Sequence, residues 1–387
     1  MSNNSNKELK LGLYMAFEFN IDKNKDIYEE SDGIIKKIRN QINTLEESNY
    51  RIDFWNPYSK RKHSIRRFAR RCPFYYLNNW KFDYSKAHKY DFIYIRKPWF
   101  MDGDLIRFLK KFKKYSPKTK ILLEIATYPY DEEGKHINMI PLSIKDKKWR
   151  KHLEKYVDRI VTYSNDEMIF NIKTIQVSNA IDVKGIKPIK HITNNLNEIN
   201  LVACSSLYYW HGYDRAIEGI KNYYINKDSV KPDIKFHIIG EGEEQEKYTK
   251  MIKDYKLEKY IIMHGRLTGD DLDKVYNLCD IALDSMGRHR SGVFYNSSLK
   301  GKEYCAKGLP IVSGITTDID NDKEYAYYER VSADDKAIDM NFIIDFYNKV
   351  YCTGKSREDI INEIVLYSER RFDYSVAMKP IINYITS

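Results

Sequence analysis

Apolar residues along the 387-residue chain alternate between short continuous runs and stretches in which they recur every three or four positions. That rhythm predicts strands alternating with helices, and hence parallel sheets covered on both faces. Residues 9–17 read as a first strand. Ser31, Asp32 and Gly33 open a helix in which Ile34, Ile35, Ile38 and Ile42 share one face. Residues 50–55 form the next strand, ended by the turn Asn56-Pro57. Residues 92–95 and 121–125 are buried-strand runs separated by a helical stretch over 105–115. Residues 159–163 and 174–177 complete one α/β domain. After a polar connector over residues 182–198 the pattern restarts, with strands at 199–204, 235–239, 260–263, 281–283 and 309–312 and helices at 214–224 and 244–255. Two domains are expected, residues 1–190 and 195–369, with a cleft at the carboxyl ends of their sheets, where open α/β sheets bind ligands.

Composition narrows the class. Hydrophobic content of 42% beside 31% charged residues fits a globular chain rather than a disordered one. No apolar run reaches membrane-spanning length, and residues 1–10 lack the apolar core of a signal peptide, so a cytoplasmic protein is expected. Five scattered cysteines without a C-x-x-C pair argue against a disulfide framework and a structural zinc site. The net charge of +10 calls for an anionic partner. It does not choose among a nucleic acid, a membrane surface and a phosphorylated substrate. No nucleic-acid recognition motif accompanies it, so nucleic acid is not expected.

Several ordered motifs carry a family resemblance. They are Phe236-His-Ile-Ile-Gly-Glu-Gly242, Met263-His-Gly265-Arg266-Leu267, Tyr276-Asn-Leu-Cys-Asp280-Ile-Ala-Leu-Asp284, and Lys300-Gly-Lys-Glu303-Tyr-Cys-Ala306-Lys-Gly308-Leu-Pro310-Ile-Val312. Together they resemble the donor-binding domain of family 4 glycosyltransferases, enzymes of the GT-B fold that retain anomeric configuration. Weaker echoes are Ser178-Asn179-Ala180-Ile-Asp182 and Trp210-His211-Gly212-Tyr-Asp214. The resemblance implies two Rossmann-like α/β/α domains across a cleft, with the final helix, residues 370–387, packing back on the first domain. It implies a nucleotide-sugar donor, UDP- or GDP-linked, a glycan or lipid-linked acceptor, and no cofactor or metal.

Site residues follow from both lines. Ser297 and Ser298 precede a helix whose unpaired N–H groups suit a pyrophosphate. Lys300, in that helix's first turn, is unfavourable for the helix itself, which a bound phosphate would explain. The resemblance gives Glu303 the ribose hydroxyls; an ion pair with Lys307 at i+4 is the plain alternative. By the same resemblance Gly265, Arg266 and Leu267 are expected beside the base, and Ser285 in the donor site. The family's second glutamate, eight residues before Glu303, is here Tyr295. Arg288 and His289, with Arg290, lie between Gly287 and Gly292 as an anion-binding loop would, or as a solvated turn. His211 stands where family members carry a lysine, and a neutral imidazole stabilises a leaving phosphate less well.

In the first domain, the resemblance makes Gly33 part of the loop that approaches the donor sugar. Tyr128, Tyr130, Asp131 and Glu133 follow a strand end, where an acid could orient an acceptor hydroxyl. For Asp131 a turn role beside Pro129 is equally open. Retaining transfer, by resemblance, lets the donor phosphate take the acceptor proton. The segment Lys60-Arg-Lys-His-Ser-Ile65-Arg-Arg-Phe68-Ala-Arg-Arg71 either lies on an anionic membrane face or packs as a solvated helix. Asp318-Ile-Asp320 has a D-x-D form, but GT-B enzymes do not rely on it. The leading reading is a metal-independent glycosyltransferase of surface-polysaccharide assembly on or near the inner membrane face. A non-catalytic GT-B partner subunit and a sugar-nucleotide 2-epimerase are the alternatives.

Overall fold

A computed structural model describes residues 9–17, 33–58, 72, 80–131, 140–190, 197–227 and 230–387. Its chain divides into two compact units, Met1–Ser178 with Tyr374–Ser387, and Asn179–Asp373. The chain passes into the second unit before residue 190 because Ile181, Val183 and Ile189 are buried in that unit's core.

In the first unit, strands β1 (Lys10–Met15), β2 (Tyr50–Trp55), β3 (Phe92–Arg96), β4 (Lys120–Ile125), β5 (Arg159–Thr162), β6 (Met168–Ile169) and β7 (Ile172–Gln176) form one sheet. Their order is β2-β1-β3-β4-β5-β7-β6, parallel except for β6. Helices α1 (Gly33–Glu47), α2 (Gly103–Tyr115) and α3 (Ile140–Arg150) flank it. Strands β3 and β4 are almost wholly apolar and buried along their length, as strands covered on both faces must be. Asp102 caps α2 by accepting from the Leu105 amide at 3.0 Å.

The second unit contains β8 (Glu198–Cys204), α4 (Asp214–Ile225), β9 (Asp233–Ile239), α5 (Gln245–Asp254), β10 (Ile261–Gly265), α6 (Gly269–Tyr276) and β11 (Ile281–Leu283). It continues through α7 (Leu299–Lys307), β12 (Ile311–Ser313), β13 (Tyr328–Arg330), α8 (Met340–Tyr351) and α9 (Arg357–Phe372). The short helices α10 (Tyr374–Ala377) and α11 (Lys379–Thr386) return to the first unit. The second sheet runs β10-β9-β8-β11-β12-β13, all parallel. The chain builds outward from β8 to β10, then crosses to β11 and builds the other way. The reversal between β8 and β11 leaves a crevice beyond their carboxyl ends. No helix among the described residues is long and apolar enough to cross a membrane.

Candidate active site

The loops leaving β8 and β11 meet at that reversal, backbone against backbone. The Met286 amide donates to the His211 carbonyl at 2.7 Å, and the Gly314 amide to the Ser285 carbonyl at 3.0 Å. Gly212 has φ +63°, and a Cβ there would stand 2.5 Å from the Gly287 nitrogen. Only glycine fits such an approach.

Helix α7 opens at the same place. Ser298 caps it, accepting from the Gly301 amide at 3.4 Å while its hydroxyl donates to Asp284 Oδ1 at 2.8 Å. One turn in, Lys300 Nζ donates to His211 Nδ1 at 2.8 Å and to Ser285 Oγ at 2.9 Å, with Asp284 Oδ1 at 3.6 Å. The Lys300 side chain is 18% exposed and that of Asp284 1%. An ammonium has no lone pair, so His211 Nδ1 must be the acceptor and the ring proton must sit on Nε2. The ring also stacks on Tyr213, at 5.8 Å and 11°. Burial pulls the His211 pKa down to about 2, with Lys300 and Arg288 adding to the fall, so the imidazole is neutral at any working pH. Burial likewise pulls Lys300 down to about 8; Asp284 opposes the fall and Arg288 deepens it. The site holds a partly desolvated cation that its own carboxylate does not fully offset, which is the environment an anionic ligand completes.

The other expected donor residues separate. Arg288 is buried, its guanidinium 5.5 Å from the Trp210 ring centroid. Arg290 is spent on Asp214 and Asp335, at 2.9 and 2.7 Å, and His289 Nε2 lies 3.2 Å from Asp335. The Arg288 charge is felt at His211 and Lys300. Ser297 is a tie rather than a free hydroxyl, accepting from the Asn179 amide at 2.8 Å and donating to Asp318 at 2.9 Å. Tyr295 is half-buried and its hydroxyl engages the Asn321 side chain; burial pushes its pKa up to about 12. Gly265 ends β10 at a bulge with φ +65°, followed by exposed Arg266 and half-buried Leu267. Glu303 is exposed on α7, and its charge is felt at Cys204 and Tyr276. Lys307 pairs with Asp273 at 2.5 Å. Asp284 and Tyr213 were not singled out from sequence, although Asp284 closes a strand at its ligand-binding end.

Asp318 and Asp320 serve local structure. Asp318 accepts from Ser297 and from buried Lys302, and Asp320 from the Tyr328 hydroxyl and Arg330. Among the described residues no three histidine, cysteine or acidic side chains gather as a metal ion would need.

In the first unit, the segment after β4 carries Tyr128, Tyr130 and Asp131. Both Asp131 oxygens accept from Arg150, at 2.7 and 3.1 Å, and that fork holds its carboxyl below the usual range. A carboxylate so occupied is a poor proton acceptor and a good strut. The Tyr130 hydroxyl donates to Asp146 at 2.8 Å, with Lys97 4.0 Å above its ring, and Tyr128 meets Phe170 edge-on. Gly33 begins α1 in open space. Glu133 and residues 60–71 lie outside the described residues.

Beneath α1 lies a polar cluster that sequence did not reveal. Glu124 is fully buried and accepts from Tyr94 at 2.7 Å, Arg96 at 2.8 Å and Gln41 at 2.9 Å, with Lys37 at 3.6 Å. Burial alone would raise its pKa, but Lys37, Arg96 and these hydrogen bonds hold it at about 2.

Residues 187–313 match the family model described as glycosyl transferases group 1. A glycosyltransferase from Rickettsia africae ESF-5 superposes with a TM-score of 0.61 at 12% identity, over 98% of this chain and 99% of that one. The lipopolysaccharide outer core galactosyltransferase WaaB gives 0.60 at 15% identity, over 97% and 99%. Anabaena HepE, solved in complex with UDP and glucose, gives 0.56 at 12% identity, over 98% and 100%. The two parallel-sheet α/β units are those of the GT-B fold, and the second of them carries the group 1 glycosyl transferase segment.

Proposed function

We propose that this chain is a retaining glycosyltransferase of the family 4 type. It takes a sugar from a UDP- or GDP-linked donor and moves it to a hydroxyl of a glycan or lipid-linked saccharide in surface-polysaccharide assembly. The carrying observation is the Lys300 ammonium, held by His211 and Ser285 at the strand-order reversal of the second sheet.

As the bond to the anomeric carbon breaks, the leaving diphosphate gains charge. A cation already desolvated and fixed in position stabilises that charge without reorganisation. The loop after β8 lacks the family's lysine, and Lys300 reaches from α7 to the His211 side chain in its stead. Ser298 anchors the amino end of α7 at β11, aiming that end of the helix at the same anion. Glu303, on the same helix, takes the ribose hydroxyls. With Asp318 and Asp320 engaged in local contacts, the transfer runs without a metal ion. The group 1 segment and the UDP and glucose bound to HepE support a nucleotide-sugar donor.

The test is nucleoside-diphosphate release from UDP- and GDP-sugars in the presence of a saccharide acceptor, for the wild type and Lys300→Met. Release by the wild type, cut about 100-fold in the variant, is expected for loss of one transition-state cation. No release with either donor would overturn the enzyme reading in favour of a non-catalytic GT-B partner.

A further inference from the structure

One described surface, remote from Lys300 in the sequence, gathers positive charge. Helix α2 buries Leu105, Ile106, Phe108, Leu109 and Phe112. Arg107, Lys110, Lys111 and Lys114 are spaced three, four and seven apart, so they form a single stripe along its outer side. The one acid of the helix, Asp104, is buried. An open groove of about 850 Å³ runs beside the stripe, with Lys155 on its far wall. Two acids line the same groove: Asp158 accepts from the groove's own Lys113 and from the Ile121 amide, both at 2.7 Å, and Glu154 accepts from Asn171 at 3.1 Å, so two carboxylates stand against six cations.

Like charges at i,i+3 and i,i+4 weaken a helix, and exposed helices ordinarily intersperse the two signs. A stripe of cations with no intervening acid is stabilised by an anionic surface laid along it. Tyr115 closes the stripe, 57% exposed and stacked on Tyr84 at 5.9 Å. A tyrosine with an apolar body and a polar tip is the residue type that settles at the headgroup level of a bilayer. On the groove wall, Pro117 lies three residues before β4 and Asp158 directly precedes β5. The surface therefore lies at the amino ends of those strands and leaves their carboxyl ends uncovered.

We infer that the α2 stripe and its groove dock this protein on an anionic lipid bilayer. Its residues are other than the segment 60–71 of the sequence, and the inference does not depend on the transfer reading, since vesicle binding needs no nucleotide.

The experiment is co-sedimentation of the full chain with vesicles of phosphatidylglycerol and phosphatidylcholine, and with phosphatidylcholine alone. The variant is Lys110→Gln/Lys111→Gln/Lys114→Gln; these side chains are exposed, and circular dichroism checks the fold. The wild type should bind the anionic vesicles only, and release them as salt shortens the electrostatic range. Each lysine near the surface strengthens binding about fivefold, so the triple variant should bind about 100-fold more weakly. The triple replacement by arginine should bind as the wild type does. No wild-type binding, or unchanged binding by the glutamine variant, would overturn the inference. So would capture of soluble polyphosphate, but not vesicles, through the same lysines.

Discussion

Replacing Lys300 with methionine should stabilise the ligand-free protein and weaken its hold on a nucleoside diphosphate. Lowering the Lys300 pKa from 10.5 to about 8 means that carrying its charge costs about 3 kcal/mol at neutral pH. Methionine keeps most of the volume and removes that cost. It forfeits the hydrogen bonds to His211 and Ser285, together worth about 1–2 kcal/mol net. Ser285 Oγ stands 3.0 Å from His211 Nδ1 and can turn its proton to that nitrogen, so no acceptor is left unpaired. The balance is a gain of about 1–2 kcal/mol, or a rise of about 2–8 °C in the melting midpoint of a unit this size. On the ligand side, losing a charge-assisted contact worth about 1.5–3 kcal/mol weakens binding roughly 10- to 150-fold. Differential scanning fluorimetry of the apo proteins and calorimetric titration with UDP and GDP read the two effects separately. A variant less stable than the wild type, with unchanged nucleotide affinity, would refute the reasoning and make Lys300 a structural residue.

Nucleotide affinity should hold below about pH 8 and fall above it, because the Lys300 proton leaves with a pKa of about 8; titrations on either side of that value check this, and a flat profile would count against Lys300. Gly212→Ala, strained by φ +63° and by the Gly287 backbone, should cost more than about 2 kcal/mol and abolish nucleotide binding. Thermal denaturation and the same titration report it. Glu124→Gln should destabilise the first unit by about 3–5 kcal/mol, since it leaves Arg96 and Lys37 buried without their anion. The depressed Glu124 pKa stabilises the fold above the unfolded value and is lost as pH falls through about 2, so acid denaturation of the variant should lack that contribution.

Much of the fold is legible in the sequence because parallel strands buried on both faces are continuous apolar runs. The run Phe92-Ile-Tyr-Ile95 and the run Ile281-Ala-Leu283 mark their strands almost to the residue. Strand β13, Tyr328-Glu-Arg330, escapes notice because an edge strand of three residues carries no apolar run and no period. In the site, the motif marks α7 and Lys300 in its first turn, but not what each of its lysines touches. Lys300 and Lys302 are two residues apart on one helix, yet Lys302 turns inward to Asp318 while Lys300 turns to His211. Only the crossover that brings β11 beside β8 joins residues 89 apart in sequence. The loop Arg288-His-Arg290 reads as three equivalent cations. Asp214 and Asp335, far away in the chain, take up Arg290, while Arg288 is buried against Trp210.

The central claim is a nucleoside-diphosphate site at the reversal between β8 and β11. Thermal-shift titration of the wild type, Lys300→Met and Glu303→Ala with UDP, GDP, ADP and dTDP tests it most directly. At about 100 times Kd, a ligand adds roughly 2.7 kcal/mol of stability, a shift of several degrees. The account predicts such a shift for UDP or GDP with the wild type, cut to about half or less in both variants. No shift with any nucleotide, or one that survives both substitutions undiminished, would contradict it.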